Sequence, residues 1–155
     1  MGKIGLPSGA VGMENYEVTN SSSDPGAPVG FIGLGLMGRP MAKNLLKAGF
    51  PVVVHSRSPE PVEDLVAHGA QRADSPADVA RRTTRIITML PDSPDVAKVL
   101  DGPDGVFSRI QPGTIVVDCS SISPTSAKRL AERATTVGAT MLDAPVSGGE
   151  IGAIT

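Results

Sequence analysis

The sequence predicts an α/β protein built on a doubly wound parallel sheet of the Rossmann type. Short apolar runs alternate along the chain with segments of helical periodicity, as in proteins where each strand is followed by a crossover helix. The first apolar run leads directly into Gly33, Gly35 and Gly38, which have the spacing of a dinucleotide-binding turn. With 155 residues the chain has room for one such domain and a real core, and not for a second full domain.

The N-terminal segment differs in composition from the rest. Residues 1–27 are rich in Gly, Ser, Asn and Pro and show no apolar periodicity. Because such a segment buries little apolar surface, we predict a disordered leader over residues 1–27. The alternating elements and the glycine turn predict an NAD(P)-binding Rossmann domain over residues 28–155. Translation from Met13, or a separate role for the leader, stays open.

The glycine-rich turn follows a predicted buried strand, Val29–Ile32, and precedes a predicted helix that stops at Gly49. Gly33 permits the tight turn, Gly35 lets the backbone approach a pyrophosphate, and Gly38 allows close packing of helix on strand. The unpaired N–H groups of the helix N-terminus face the phosphates. The alternative is a turn that binds nothing. The cofactor-binding residues predicted here are Gly33, Leu34, Gly35, Leu36, Met37 and Gly38.

The second predicted strand, Pro51–His55, is β-branched and suited to burial on both faces. Sites for NAD usually place an Asp or Glu at its end, where this chain has Ser56, Arg57 and Ser58 instead. An arginine flanked by hydroxyls suits the 2′-phosphate of NADP, so we predict NADP(H) as the favoured cofactor and keep NAD(H) as an alternative. If Arg57 is merely solvated, the site takes either cofactor.

The remaining elements continue the alternation. A helix over Pro59–His68, with Ser58 as its cap, precedes a weak strand after Gly69 and a short helix that opens at Ser75. Further on, the pattern predicts strands at Arg85–Leu90, at Thr114–Val117 and from Met141, and helices at Ser93–Leu100 and from Pro124 to about Val137. Ligands of such sheets bind beyond the carboxyl ends of the strands, which points to the loops at Gly33, His55, Pro91, Cys119 and Pro145.

Composition excludes several classes of function. The net charge is −2 and no dense Lys/Arg cluster occurs, so we expect no nucleic acid and no membrane as partner. No apolar run approaches the roughly 20 residues that span a bilayer. One cysteine rules out an internal disulfide, and with two histidines it argues against a zinc site, so we expect no metal and a reducing, cytoplasmic location.

Four segments carry a resemblance to a known family. In chain order they are VGFIGLGLMGRPMAKNL, ITMLPDSPDV, GTIVVDCSSISP and DAPVSGGEIGA. Together they resemble the N-terminal half of the β-hydroxyacid dehydrogenase (3-hydroxyisobutyrate dehydrogenase-like) family, and within it most closely the tartronate semialdehyde reductases. The resemblance implies hydride transfer between a nicotinamide and a 3-hydroxyacid or semialdehyde, by a Rossmann domain whose active site a helical domain completes.

The resemblance also implies site residues. Those that line the ribose and nicotinamide end of the cofactor would be Leu90, Pro91 and Ser121, and the substrate loop would be Ser147, Gly148 and Gly149. That loop has its own rationale, because consecutive glycine N–H groups and a serine hydroxyl can hold a substrate carboxylate. The alternative is a flexible connector.

The family's catalytic lysine has no counterpart here. The resemblance places it on a helix after the glycine loop, whereas the lysines present are Lys3, Lys43, Lys47, Lys98 and Lys128. We therefore assign no catalytic residue and expect a truncated cofactor half, inactive alone, that awaits a helical C-terminal domain or self-associates, with a small carboxylate-bearing substrate. A non-catalytic nucleotide-binding or interaction module, and the cofactor half of a 6-phosphogluconate dehydrogenase or imine reductase relative, stay open.

Overall fold

Six parallel strands form a single sheet in the computed structural model, which describes residues 26–155. The predicted leader lies outside the described residues, apart from Gly26 and Ala27. The strands are β1 Val29–Ile32, β2 Val52–His55, β3 Gln71–Arg72, β4 Arg85–Thr88, β5 Ile115–Asp118 and β6 Thr140–Asp143. The helices are α1 Gly38–Lys47, α2 Pro59–Ala67, α3 Pro76–Arg82, α4 Ser93–Asp101, α5 Pro124–Thr136 and α6 Gly149–Ile154, with a 3-10 helix at Val106–Ser108.

The strand order is β3-β2-β1-β4-β5-β6. This order is that of a doubly wound Rossmann sheet, so the predicted fold class is confirmed. β1 lies at the centre, with Ile32 opposite His55 of β2 on one side and Thr88 of β4 on the other. The chain reverses its direction of travel across the sheet between β1 and β4. A crevice therefore opens at the carboxyl ends of these two strands.

The core lies on both faces of the sheet because the central strands alternate their side chains between two buried clusters. Phe31 packs with residues of α1 and α2, whereas the next residue, Ile32, packs with residues of α3, α4 and α5. Both side chains are essentially inaccessible. Strands buried on both sides need continuous apolar runs, which is why VVV in β2 forms a strand.

Three helices begin at residues that cap them. Ser75, Asp92 and Ser123 each accept a hydrogen bond from the backbone N–H three residues on, and each first turn contains a proline. Ser58 stands at the same position before α2, but its side chain makes no capping hydrogen bond. The predicted cap position is confirmed, but without a capping hydrogen bond, and Ser58 also lines a cleft.

Helix α6 is the element that the sequence pattern does not predict. It begins after Gly148, whose φ of 114° is left-handed, and packs against α1. The amide nitrogen of Asn44 donates to the carbonyl of Ala153 at 2.9 Å, and Ala153 is buried. A tertiary contact with α1 therefore holds a short, glycine-rich helix that local propensity disfavours.

Among residues 26–155, no helix combines the length and the hydropathy that crossing a bilayer requires.

Candidate dinucleotide-binding site

A cleft of about 630 Å³ opens at the carboxyl ends of β1, β2 and β4. The glycine turn after β1, the segment after β2 and one face of α4 form its walls. Small-molecule sites typically measure about 300–1,000 Å³. The cleft lies where the strand order reverses, which is where doubly wound sheets bind their ligands.

Most of the predicted cofactor-binding residues line this one cleft. They are Gly33, Leu34, Gly35, Leu36, Met37, Gly38, Ser56, Arg57, Ser58, Leu90 and Pro91. The structure does not bring the other predicted residues into the lining. Ser121 is exposed after β5, and Ser147, Gly148 and Gly149 are exposed where α6 begins. The binding roles of the residues that line the cleft, and of those that do not, stay predictions.

The three positions of the turn differ in whether the structure requires glycine there. Gly33 has a φ of 97°, and a Cβ there would collide with the carbonyl oxygen of Met89. A Cβ on Gly38 would collide with the carbonyl oxygen of Gly33. Gly35 has neither constraint, because its φ is not positive and a Cβ there would meet no protein atom within 4 Å. Packing explains two of these glycines, whereas no contact within the described residues requires glycine at position 35, where the sequence pattern predicts close approach of a pyrophosphate to the backbone.

Arg57 reaches across the mouth of the cleft from the end of β2 to α4. Its Nη1 lies 3.3 Å from Oδ1 of Asp95 and its Nη2 lies 3.5 Å from Oδ2. The arginine side chain is 76% exposed and the aspartate 27% exposed. Such pairs contribute about 0–1 kcal/mol, so the guanidinium can also bind an incoming anion.

Helix α4 contributes residues that the sequence pattern does not assign to the site. Asp95, Lys98 and Val99 line the cleft together with Gly102, Pro103 and Asp104 of the following loop. Their spacing places the helical members on one face of α4. That spacing is visible in the sequence, but it does not say that this face borders the β1–β4 crevice.

A buried carboxylate outside the cleft lining holds the loop that carries Leu90 and Pro91. Asp118, inaccessible at the end of β5, accepts through Oδ1 from the Thr88 hydroxyl at 2.7 Å and from the Ser120 hydroxyl at 2.6 Å. The Ser120 oxygen in turn accepts from the backbone N–H of Leu90 at 2.9 Å. Ser120 therefore links the loop that carries Leu90 and Pro91 to Asp118 of β5 through hydrogen bonds.

The contacts of His55 and Cys119 fit structural roles at the ends of their strands. His55 is half-buried at the end of β2, and its Nδ1 lies 3.1 Å from the carbonyl oxygen of Ala73. Cys119 is buried, and burial, with the nearby charge of Asp118, raises the pKa of its thiol. A thiol held protonated is a small apolar side chain rather than a nucleophile.

Across the part of the chain that the structure describes, no group of three or more His, Cys, Asp or Glu side chains is arranged to hold a metal ion.

Comparison with known proteins identifies relatives of this domain. The family model described as the NAD binding domain of 6-phosphogluconate dehydrogenase matches residues 28–155. Mitochondrial 3-hydroxyisobutyrate dehydrogenase of Rattus norvegicus is 47% identical over 122 residues, which are 79% of this chain and 36% of that protein. NAD-dependent L-serine dehydrogenase of Pseudomonas aeruginosa is 47% identical over 125 residues, 81% of this chain and 42% of that protein.

A solved structure shows the same fold with a cofactor. Psf3 in complex with NADP+ and 2-OPP superimposes with a TM-score of 0.78 at 38% identity, covering 81% of this chain and 45% of that one. The chain spans about two-fifths of the length of the curated relatives that it matches.

Proposed function

The chain belongs to the β-hydroxyacid dehydrogenase family, whose N-terminal, NAD(P)-binding half it matches, and we propose that its cleft binds NADP(H) in preference to NAD(H). The observation that carries dinucleotide binding is Gly35, and the preference for NADP(H) rests on Arg57 at the end of β2. Gly35 lines the cleft with no packing or conformational need to be glycine, as expected where a pyrophosphate meets the backbone.

The walls of the cleft fit the parts of a dinucleotide. The first turn of α1 carries no acidic residue, so its N–H groups and the helix dipole can face the pyrophosphate. Arg57 would hold the 2′-phosphate, with Ser56 and Ser58 beside it. The complex of the related Psf3 with NADP+ supports this preference, whereas the NAD-dependent L-serine dehydrogenase keeps NAD(H) as the alternative.

The chemistry proposed for the whole protein is hydride transfer between the nicotinamide and a small carboxylate-bearing 3-hydroxyacid or semialdehyde. The bound nicotinamide would supply or accept the hydride, and this chain's residues would bind and orient it. The loop tied down by Ser120 would border the nicotinamide end. The names of the two curated relatives, both acting on hydroxyl-bearing carboxylic acids, support this substrate class. Tartronate semialdehyde as substrate stays a prediction.

For the substrate oxygen, the resemblance implies a lysine as the proton donor. The resemblance gives the family's lysine no counterpart in this sequence, so we propose that reduction needs a further polypeptide segment and that these 155 residues alone are inactive. A cytoplasmic location also stays a proposal, because the rat relative is named mitochondrial.

Fluorescence titration with NADPH tests the cofactor site, with Gly35→Ala as the diagnostic variant. Because its Cβ meets no protein atom, we expect an unchanged melting temperature and NADPH affinity weakened at least about tenfold, or ~1.4 kcal/mol. The matched control is Gly152→Ala on α6, where the added Cβ comes no closer than 3.8 Å to other atoms. Absence of binding by the unaltered chain, or tight binding by the Gly35→Ala variant, would refute the proposal.

A complementation assay separates the enzyme from a non-catalytic nucleotide-binding module. The C-terminal half of the rat relative is fused to this chain, and NADPH-dependent semialdehyde reduction is followed by absorbance. Recovered turnover supports the oxidoreductase half. Persistent inactivity in a folded fusion that binds NADPH tightly supports the module.

A further inference from the structure

The end of β2 carries no carboxylate, but a carboxylate still reaches that corner of the cleft from α4. Asp95 lies with both oxygens within 3.5 Å of the two terminal nitrogens of Arg57. Both residues line the cleft beside Ser56 and Ser58. The group predicted to bind a 2′-phosphate is therefore already paired with a negative charge.

Asp95 is the better-fixed member of this pair. It lies in the first turn of α4, and its backbone N–H donates to the capping carboxylate of Asp92 at 2.9 Å. Its side chain is 27% exposed, against 76% for Arg57. An incoming group thus meets a carboxylate on a rigid element and a guanidinium that can move.

The two dinucleotides meet this carboxylate differently. The 2′-hydroxyl of NAD(H) is a donor, and a carboxylate accepts its hydrogen bond, as the acidic residue after β2 does in NAD-specific sheets. The 2′-phosphate of NADP(H) is an anion that competes with Asp95 for the Nη1–Nη2 edge of Arg57 and is repelled by Asp95 if it binds beside it. One side chain therefore acts in opposite directions on the two cofactors.

We propose that Asp95 is a specificity-determining residue that makes the affinity difference between NADP(H) and NAD(H) smaller. This inference rests on the proposed function. Its carboxylate supplies from α4 the ribose acceptor that β2 lacks, and it opposes the phosphate that Arg57 attracts. The site then binds both cofactors.

Titration of the full chain with NADPH and NADH at low ionic strength tests the proposal through the Asp95→Asn variant. We expect the NADPH affinity to rise and the NADH affinity to fall, so that their ratio moves by about three- to fivefold towards NADPH, the scale of one exposed charge pair. Added salt should shrink the NADPH part of the change.

Asp101→Asn is the matched control. Asp101 lies on the same helix with 31% exposure and also pairs with an arginine, Arg133, at 2.9 Å, but it does not line the cleft. It should leave the affinity ratio unchanged. Because Asp95 acts on the cofactor directly, its substitution should also shift the ratio in an Arg57→Ala background.

The outcomes are distinct. If both cofactors bind but the Asp95→Asn ratio equals that of Asp101→Asn, or the shift disappears without Arg57, the inference is overturned and the cofactor site stands. If neither the parent chain nor any variant binds either cofactor, both the proposed function and this inference are refuted.

Discussion

Replacing Asp118 by alanine should leave three buried hydrogen-bond donors without an acceptor. Oδ1 of Asp118 accepts from the hydroxyls of Thr88 and Ser120 and from the backbone N–H of Ser120 at 3.2 Å. All three residues are inaccessible, so water cannot take the place of the lost acceptor. The other carboxylate oxygen, Oδ2, is buried and has no hydrogen-bond partner.

These contacts set the magnitude. A buried donor without its partner costs about 1–3 kcal/mol, and the acceptor lost here is charged. Removing the carboxylate also relieves the desolvation of Oδ2, and hydroxyl groups can rotate to other acceptors, so we expect a net destabilisation of about 3–5 kcal/mol, in the lower part of the range for three such donors. Asp118→Asn keeps an acceptor for the donors and removes the buried charge, and should lose no more than about 1–2 kcal/mol.

Urea unfolding followed by circular dichroism measures both variants. Asp143→Ala is the control, because Asp143 lies directly opposite Asp118 in the register of β5 and β6 but is exposed, and such substitutions change stability by only about 0.5 kcal/mol. The reasoning would be refuted if the free energy of unfolding of the Asp118→Ala variant lay within about 1 kcal/mol of that of the parent chain, or if the Asp118→Asn variant were less stable than the Asp118→Ala variant.

Three further predictions concern other parts of the chain. Hydrogen bonds from Arg39 and then Lys43 lower the pKa of the Asp64 carboxyl from its ordinary 3.8 to about 2. The ionised carboxylate therefore stabilises the fold above about pH 4, and this stabilisation is lost as the pH falls from about 4 to 2. In thermal melts, the excess stability of the parent chain over the Asp64→Asn variant should disappear across that range. Cys119 should react with a thiol reagent at pH 8 only after urea is added, and rapid labelling of the native chain would contradict its burial. Because Leu142 on the edge strand and Ile151 on α6 are 51% and 78% exposed, the isolated chain should sediment as a species larger than a monomer, and a sharp monomer boundary would count against this.

The fold was predictable because its signals are local. Apolar runs, helix caps and the glycine turn each act over fewer than a dozen residues, and together they allow little besides a parallel sheet with crossover helices. The bounds moved by one or two residues. The predicted strand from Arg85 ends at Thr88, since the chain there turns towards Ser120.

The site was predictable only in the parts that follow a strand in sequence. Arg57 is next to β2, so its location follows from the strand, whereas Asp95 reaches the same corner from α4 through the tertiary fold. Two serines after β5 show the same limit: the resemblance singles out Ser121, but Ser120 is the one that binds the N–H of Leu90. Adjacent residues beyond a strand end point in different directions, and only packing decides which of them turns inward.

The position of β1 in the middle of the sheet also has a consequence for the order of events during synthesis. When β2 has left the ribosome, β1 has a neighbour on one edge only, and its second neighbour, β4, is translated after two more helices. Until then the nascent chain presents an apolar strand with one unpaired edge, which favours aggregation. The cleft is completed later still, because its lining continues beyond β4 to Asp104, so a dinucleotide can stabilise the domain only once Asp104 has left the ribosome.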